Sequence, residues 1–176
     1  MMNFYHNAKA RRMSRPGLTA LVLILLLAPV SFADQLADIR VVNDEAGSRL
    51  QVDGQAYMIL GMNWDYVPIG ENYSYSLWNQ PDDLIEAAID REMLLLKTMG
   101  VNTIRHYVGI PPRWVKYIYE KYGIYTVLNH PMGRYGVTID GAYIPNTDYS
   151  DPRTRATIIA EIEGVVREFE GVPGVL

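Results

Sequence analysis

The chain has 176 residues, 49% of them apolar and 20% charged, with 16 Lys+Arg against 20 Asp+Glu and a formal net charge of −4. It contains no cysteine, so no disulfide framework and no lipid-bearing thiol is available, and an apolar core must carry its stability. The acidic balance, with no basic cluster beyond the N-terminus, argues against a nucleic-acid partner.

Residues 1–33 read as a secretory signal peptide. Lys9, Arg11, Arg12 and Arg15 form a basic start, Leu18 to Ala28 an apolar core, and Ser31-Phe32-Ala33 places small residues at both cleavage-determining positions. The apolar core falls short of the roughly 20 residues that a membrane span requires. Export to the periplasm or the extracellular space is expected, with no membrane association after cleavage. Removing four basic side chains leaves 12 against 20 acidic ones, a net charge of −8 on the remaining domain, 34–176.

Ile39-Arg40-Val41-Val42 and Leu50-Gln51-Val52 flank the turn-prone Asn43-Asp44-Glu45-Ala46-Gly47 and predict a β-hairpin. Asp53-Gly54 is a second turn signal, leading into a first buried strand over Tyr57 to Asn63. Trp64 to Gln80 follows as a long, aromatic-rich loop, a length more often functional than ornamental.

Pro81-Asp82-Asp83 opens a helix whose acidic first turn suits the macrodipole, with Ile85, Ile89, Met93 and Leu96 on one face and Gly100 as its stop. Val101 to Arg105 is the second strand. Pro111-Pro112 introduces a second helix over Arg113 to Tyr122, ended by Gly123, and Ile124 to Asn129 is the third strand. His130 to Ser150 is a second long loop. Asp151-Pro152 starts a third helix, on which Ile158, Ile159, Ile162, Val165, Val166 and Phe169 recur at helical spacing. Gly174-Val175-Leu176 is the start of a fourth strand.

Alternating strands and helices predict an α/β fold with parallel strands. The order fits the N-terminal portion of a (β/α)8 TIM barrel: a hairpin, three strand–helix units and the start of strand four. A small open-sheet domain is the alternative, disfavoured because no glycine-rich phosphate loop accompanies the alternation. In such a barrel the carboxyl ends of the strands form the active-site face. Arg105, His106 and Tyr107, then Asn129 and His130, and Asn63, Trp64 and Asp65 are therefore the candidate binding residues. Each has a plain structural counterpart: an ion-paired arginine, a core histidine, a tryptophan packed at the strand ends.

The run Gly100-Val101-Asn102-Thr103-Ile104-Arg105-His106-Tyr107 and the run from Tyr119 to Leu128, "Tyr-Glu-Lys-Tyr-Gly-Ile-Tyr-Thr-Val-Leu", resemble the front of the retaining glycoside hydrolase barrels with two catalytic glutamates. The likeness is greatest to the family 2 barrel domain, with echoes of families 5 and 72. Val52 to Trp64 also fits, and the resemblance covers roughly residues 48–176. It implies an exported glycosidase acting on oligo- or polysaccharides by double displacement. Arg105 matches the arginine beneath the catalytic carboxylates, His106-Tyr107 matches a pair lining the sugar site, and His130 a position that contacts substrate hydroxyls. Both catalytic glutamates of the family lie at strand ends beyond Leu176, so no catalytic residue is assigned here, and the 176 residues alone are expected to be inactive. Glu161, Glu163, Glu168 and Glu170 read as a solvated helix face, and Glu120 likewise.

No cofactor and no metal is expected, since no clustered ligand spacing suggests one. The expected partner is a carbohydrate substrate. The competing reading is a non-catalytic carbohydrate-binding or remnant protein using the aromatic loops 64–80 and 130–150.

Overall fold

The computed structural model describes residues 36–107 and 109–176. The signal-peptide assignment to residues 1–33 lies outside the described residues. Among those described, no helix is long and apolar enough to cross a membrane.

β1 (Ile39–Asp44) and β2 (Gly47–Val52) pair antiparallel, Ile39 opposite Val52, and β3 (Gln55–Ala56) extends this small sheet. β4 (Gly61–Trp64), β5 (Thr103–His106) and β6 (Tyr125–Leu128) form a separate parallel sheet with β5 in the middle. α1 (Asp82–Thr98) and α2 (Pro112–Tyr122) are the crossovers between its strands. β7 (Val137–Ile139) and β8 (Ala142–Ile144) make a second hairpin, and α3 (Pro152–Phe169) follows it.

The local signals act as their chemistry requires. Pro81 and Pro111 hold extended backbone at the heads of α1 and α2. Gly123 ends α2 in the left-handed conformation (φ +66), which L side chains resist. Asp151 caps α3 by accepting the Arg153 N–H at 3.0 Å.

Ile85, Ile89 and Met93 of α1 and Val115 and Ile118 of α2 are fully buried against Ile104 of β5, so both helices cover one sheet face. Two polar clamps tie the helices together. Arg113 grips Asp82 through both guanidinium nitrogens, at 2.9 and 2.7 Å. Asp90 accepts from Lys121, from the Tyr117 hydroxyl at 2.8 Å and from the Tyr122 hydroxyl at 2.6 Å. These donors hold the Asp90 carboxyl below the usual carboxylate range, while burial and Asp90 push the Tyr122 phenol up to about 12.

The expected front of a TIM barrel is overturned. The described residues form three helices and three small separate sheets of three, three and two strands, with no closed barrel. A three-stranded sheet keeps two edges and cannot wrap into a cylinder. Beyond β6, among the described residues, a single parallel bridge continues the pairing, Thr126 to Val175.

α3 also differs from expectation. Ile158 and Phe169 are buried, but Ile159 and Val166 are exposed, so the apolar face is narrower than the sequence pattern suggests. Ile158 joins Val137 and Ile139 in a second small cluster, with Ile162 packed against it.

Candidate functional site

Parallel pairing sets Asn63 beside Arg105 and Arg105 beside Val127, and the next register row sets Trp64, His106 and Leu128 side by side. Successive strand residues point to opposite faces, so Arg105 and His106 cannot share one. The structure thus divides the expected residues into two groups.

On the face away from the helices, Arg105 is exposed and donates through Nη2 to the Asn129 side-chain oxygen. Its guanidinium also lies over the Tyr107 ring, 5.1 Å from the centroid. Among the described residues no carboxylate pairs with Arg105, and Asn63 sits exposed next to it in the sheet. A planar fork of N–H donors facing outward, with an amide and an aromatic face beside it, can receive a carboxylate or adjacent hydroxyls.

On the helix side, His106 is 1% exposed and packs between Trp64 and Trp78, with ring centroids at 5.7 and 5.3 Å. Trp64 is itself buried. Among the described residues neither His106 nitrogen has a hydrogen-bond partner, and Asp65 lies nearby with its Oδ1 3.8 Å from Nε2. Burial lowers the imidazole pKa below its ordinary value, and Asp65 offsets this only in part, so the ring is neutral at neutral pH.

At the strand ends His106, Tyr107, Asn129 and His130 line one cleft of about 390 Å³ together with Ile110 of the β5–α2 connection and Phe169 of α3, whereas Asn63 and Arg105 line a separate pocket with Met62 and Val127. His130 is fixed by its surroundings: Nδ1 accepts the Met132 backbone N–H at 3.0 Å, and Nε2 lies 3.6 Å from the Glu161 carboxylate. Among the described residues no group of three or more His, Asp or Glu is placed to hold a metal ion.

Two parts of this region were not anticipated. Trp78, remote in sequence from His106, left no local sign of its contact. The β7–β8 hairpin did leave one: Asp140-Gly141, at φ +51 and +80, is a two-residue turn between short β-branched runs.

No protein-family model and no curated protein matches the chain. Among solved structures it is similar to the exo-β-D-glucosaminidase CsxA, in a study of its inhibition by a glucosamine-configured castanospermine and an amino-australine analogue. It is likewise similar to the Amycolatopsis orientalis exo-chitosanase CsxA, alone and in complex with PNP-β-D-glucosamine. Identity is 19% in each case, with TM-scores of 0.44, 0.44 and 0.45 over 79% of this chain. The chain spans 15% of the length of those solved chains. At that score and identity the likeness fixes neither the fold nor the activity of this chain.

Proposed function

We propose that these residues carry the sugar-binding strand ends of an exported glycosidase that cleaves O-glycosidic bonds of oligo- or polysaccharides with retention of configuration. The observation that carries this reading is the Arg105–Asn129–Tyr107 group, an exposed guanidinium held at the carboxyl end of a parallel sheet without an acidic partner among the described residues. It supports recognition of a hydroxyl-rich or carboxylate group, and the resemblance of residues 48–176 to retaining glycoside hydrolases supplies the reaction class.

In double displacement one carboxylate attacks the anomeric carbon while a second protonates the leaving oxygen, the two lying about 5 Å apart. Arg105 is suited to hold such a carboxylate ionised or to bind sugar hydroxyls directly. His106, neutral and with both ring nitrogens buried, shapes the cleft wall without reaching a ligand.

The second reading, carbohydrate binding without hydrolysis, is favoured by the placement of the α3 glutamates. Glu161 faces His130 and Glu163 faces Arg167, and among the described residues each is paired with a basic side chain rather than a second carboxylate.

The test is a titration of the 176-residue chain with a panel of 4-nitrophenyl glycosides, following binding by calorimetry and nitrophenol release by absorbance. Saturable binding that Arg105→Ala weakens at least tenfold supports the site. Release with retained anomeric configuration supports the glycosidase, while binding without release supports the sugar-binding surface that both readings share, because neither reading assigns a catalytic glutamate among these residues. No saturable binding to any glycoside would sink both.

A further inference from the structure

The hairpin β7–β8 and its flanks carry three tyrosines that the strand-end cluster does not use. Tyr135, Tyr143 and Tyr149 are 71%, 64% and 54% exposed. An exposed tyrosine ordinarily keeps its hydroxyl in water and its ring mobile. Here the Tyr143 hydroxyl donates to the Tyr135 carbonyl, and the Tyr149 hydroxyl donates to the Met132 carbonyl at 3.0 Å. Each of these two rings is therefore anchored at both ends. The polar handle is satisfied inside the hairpin, and what solvent meets is aromatic surface.

The support beneath the rings is specific. Gly136, at φ +109, lies against the outer edge of Tyr143: a Cβ there would come within 2.7 Å of Cε2 and of the hydroxyl oxygen. Only glycine lets the ring settle onto the backbone at that point. The hairpin itself is footed on α3 through Val137, Ile139 and Ile158. Arg134 lies beside Tyr135, its guanidinium 5.6 Å from the ring centroid.

We infer that this hairpin is a second carbohydrate-binding surface, taking pyranose rings of a polysaccharide stacked on Tyr143 and Tyr149. This rests on the reading of the chain as a carbohydrate-binding protein. A pyranose presents an apolar face of C–H bonds whose hydrogens carry partial positive charge, and the negative face of an aromatic ring attracts them. Fixing the rings in advance removes the side-chain entropy that binding would otherwise cost. Arg134 offers N–H donors to equatorial hydroxyls at the edge of the stack. A protein partner is less well served, because the three rings make no ring contact with one another among the described residues and form no continuous apolar centre.

The experiment is retention of the full 176-residue chain on insoluble neutral polysaccharides, namely cellulose, curdlan and chitin, with sedimentation of the free protein in parallel. Wild type is retained on at least one. Tyr143→Ala and Tyr149→Ala each weaken retention about 3- to 10-fold. Tyr143→Phe, which keeps the ring, loses less than Tyr143→Ala. Leu94→Ala, which removes a 60% exposed apolar side chain on α1, changes nothing. Unaltered melting temperatures establish that the tyrosine variants are folded. Equal retention of wild type and both alanine variants would overturn the inference, as would no retention of wild type on any of the three. A tyrosine-dependent dimer without retention would also overturn it, in favour of a protein interface. The glycoside titration reads the Arg105 cluster separately, so either site can fail alone.

Discussion

The two faces of the parallel sheet are built on opposite terms. On the helix side, Ile104 meets fully buried Ile85, Ile89, Val115 and Ile118, and the polar groups between α1 and α2 are satisfied by Asp82–Arg113 and by the donors converging on Asp90. On the other face Asn63 and Arg105 are exposed, with a single side-chain hydrogen bond from Arg105 to Asn129. One face is closed around apolar side chains, with the His106 nitrogens and Trp114 Nε1 buried there without partners among the described residues, while the other displays outward-facing donors. Folding energy is gained mainly by apolar burial on the first, and recognition requires polar groups left accessible on the second.

The largest effect expected from breaking this contrast lies on the closed face. Ile118→Asp buries a carboxylate at a fully buried apolar site, and the cost of more than about 4 kcal/mol leaves the chain unfolded by circular dichroism. A cooperative melt near the wild-type temperature would show that this face is not the core.

The next effect belongs to His106. Its folded pKa is lowered, so stability is at full value above the unfolded value of about 6.5, where both states are neutral. As pH falls from there toward the lowered folded value, the unfolded chain takes up a proton that the folded chain refuses. Stability then drops by at most about 1.4 kcal/mol per pH unit. His106→Gln should flatten that part of the wild-type curve between pH 6.5 and 5, as read by urea titration. Parallel curves for the two proteins would remove His106 as the cause.

A smaller effect is expected at the clamp between the helices. Asp90→Ala strips Lys121, Tyr117 and Tyr122 of their shared acceptor, but the groups lie near solvent and rehydrate. The melting temperature should fall by only a few degrees. A fall as large as that from a core substitution would mean that the clamp, rather than the apolar face, holds α1 to α2.

Much of this organisation was legible in the residues. Ile85, Ile89, Met93 and Leu96 recur at helical spacing and all four are buried; Gly123 and Asp151 mark helix ends by their own backbone and capping chemistry. The strand ends were readable because β-branched runs give way to Arg105-His106-Tyr107 and Asn129-His130. The expected barrel front was not borne out, because strand–helix alternation is a local property while the sheet architecture depends on strand pairing across the whole chain. The division of Arg105 from His106 follows from strand geometry alone. The Trp78 contact with His106 does not, since only tertiary packing brings the 65–80 loop back over β5. On α3, Ile159 and Val166 matched the apolar period yet face solvent, since the helix packs through Ile158, Ile162, Val165 and Phe169.

The most direct test of the contrast is Arg105→Ala, measured for glycoside affinity and melting temperature on the same preparation. Arg105 is exposed and outside the core, so the account predicts a melting temperature within the equivalent of about 0.5 kcal/mol of wild type. Affinity should fall at least tenfold. Unchanged affinity, or a loss of affinity that merely follows a loss of stability, would contradict it.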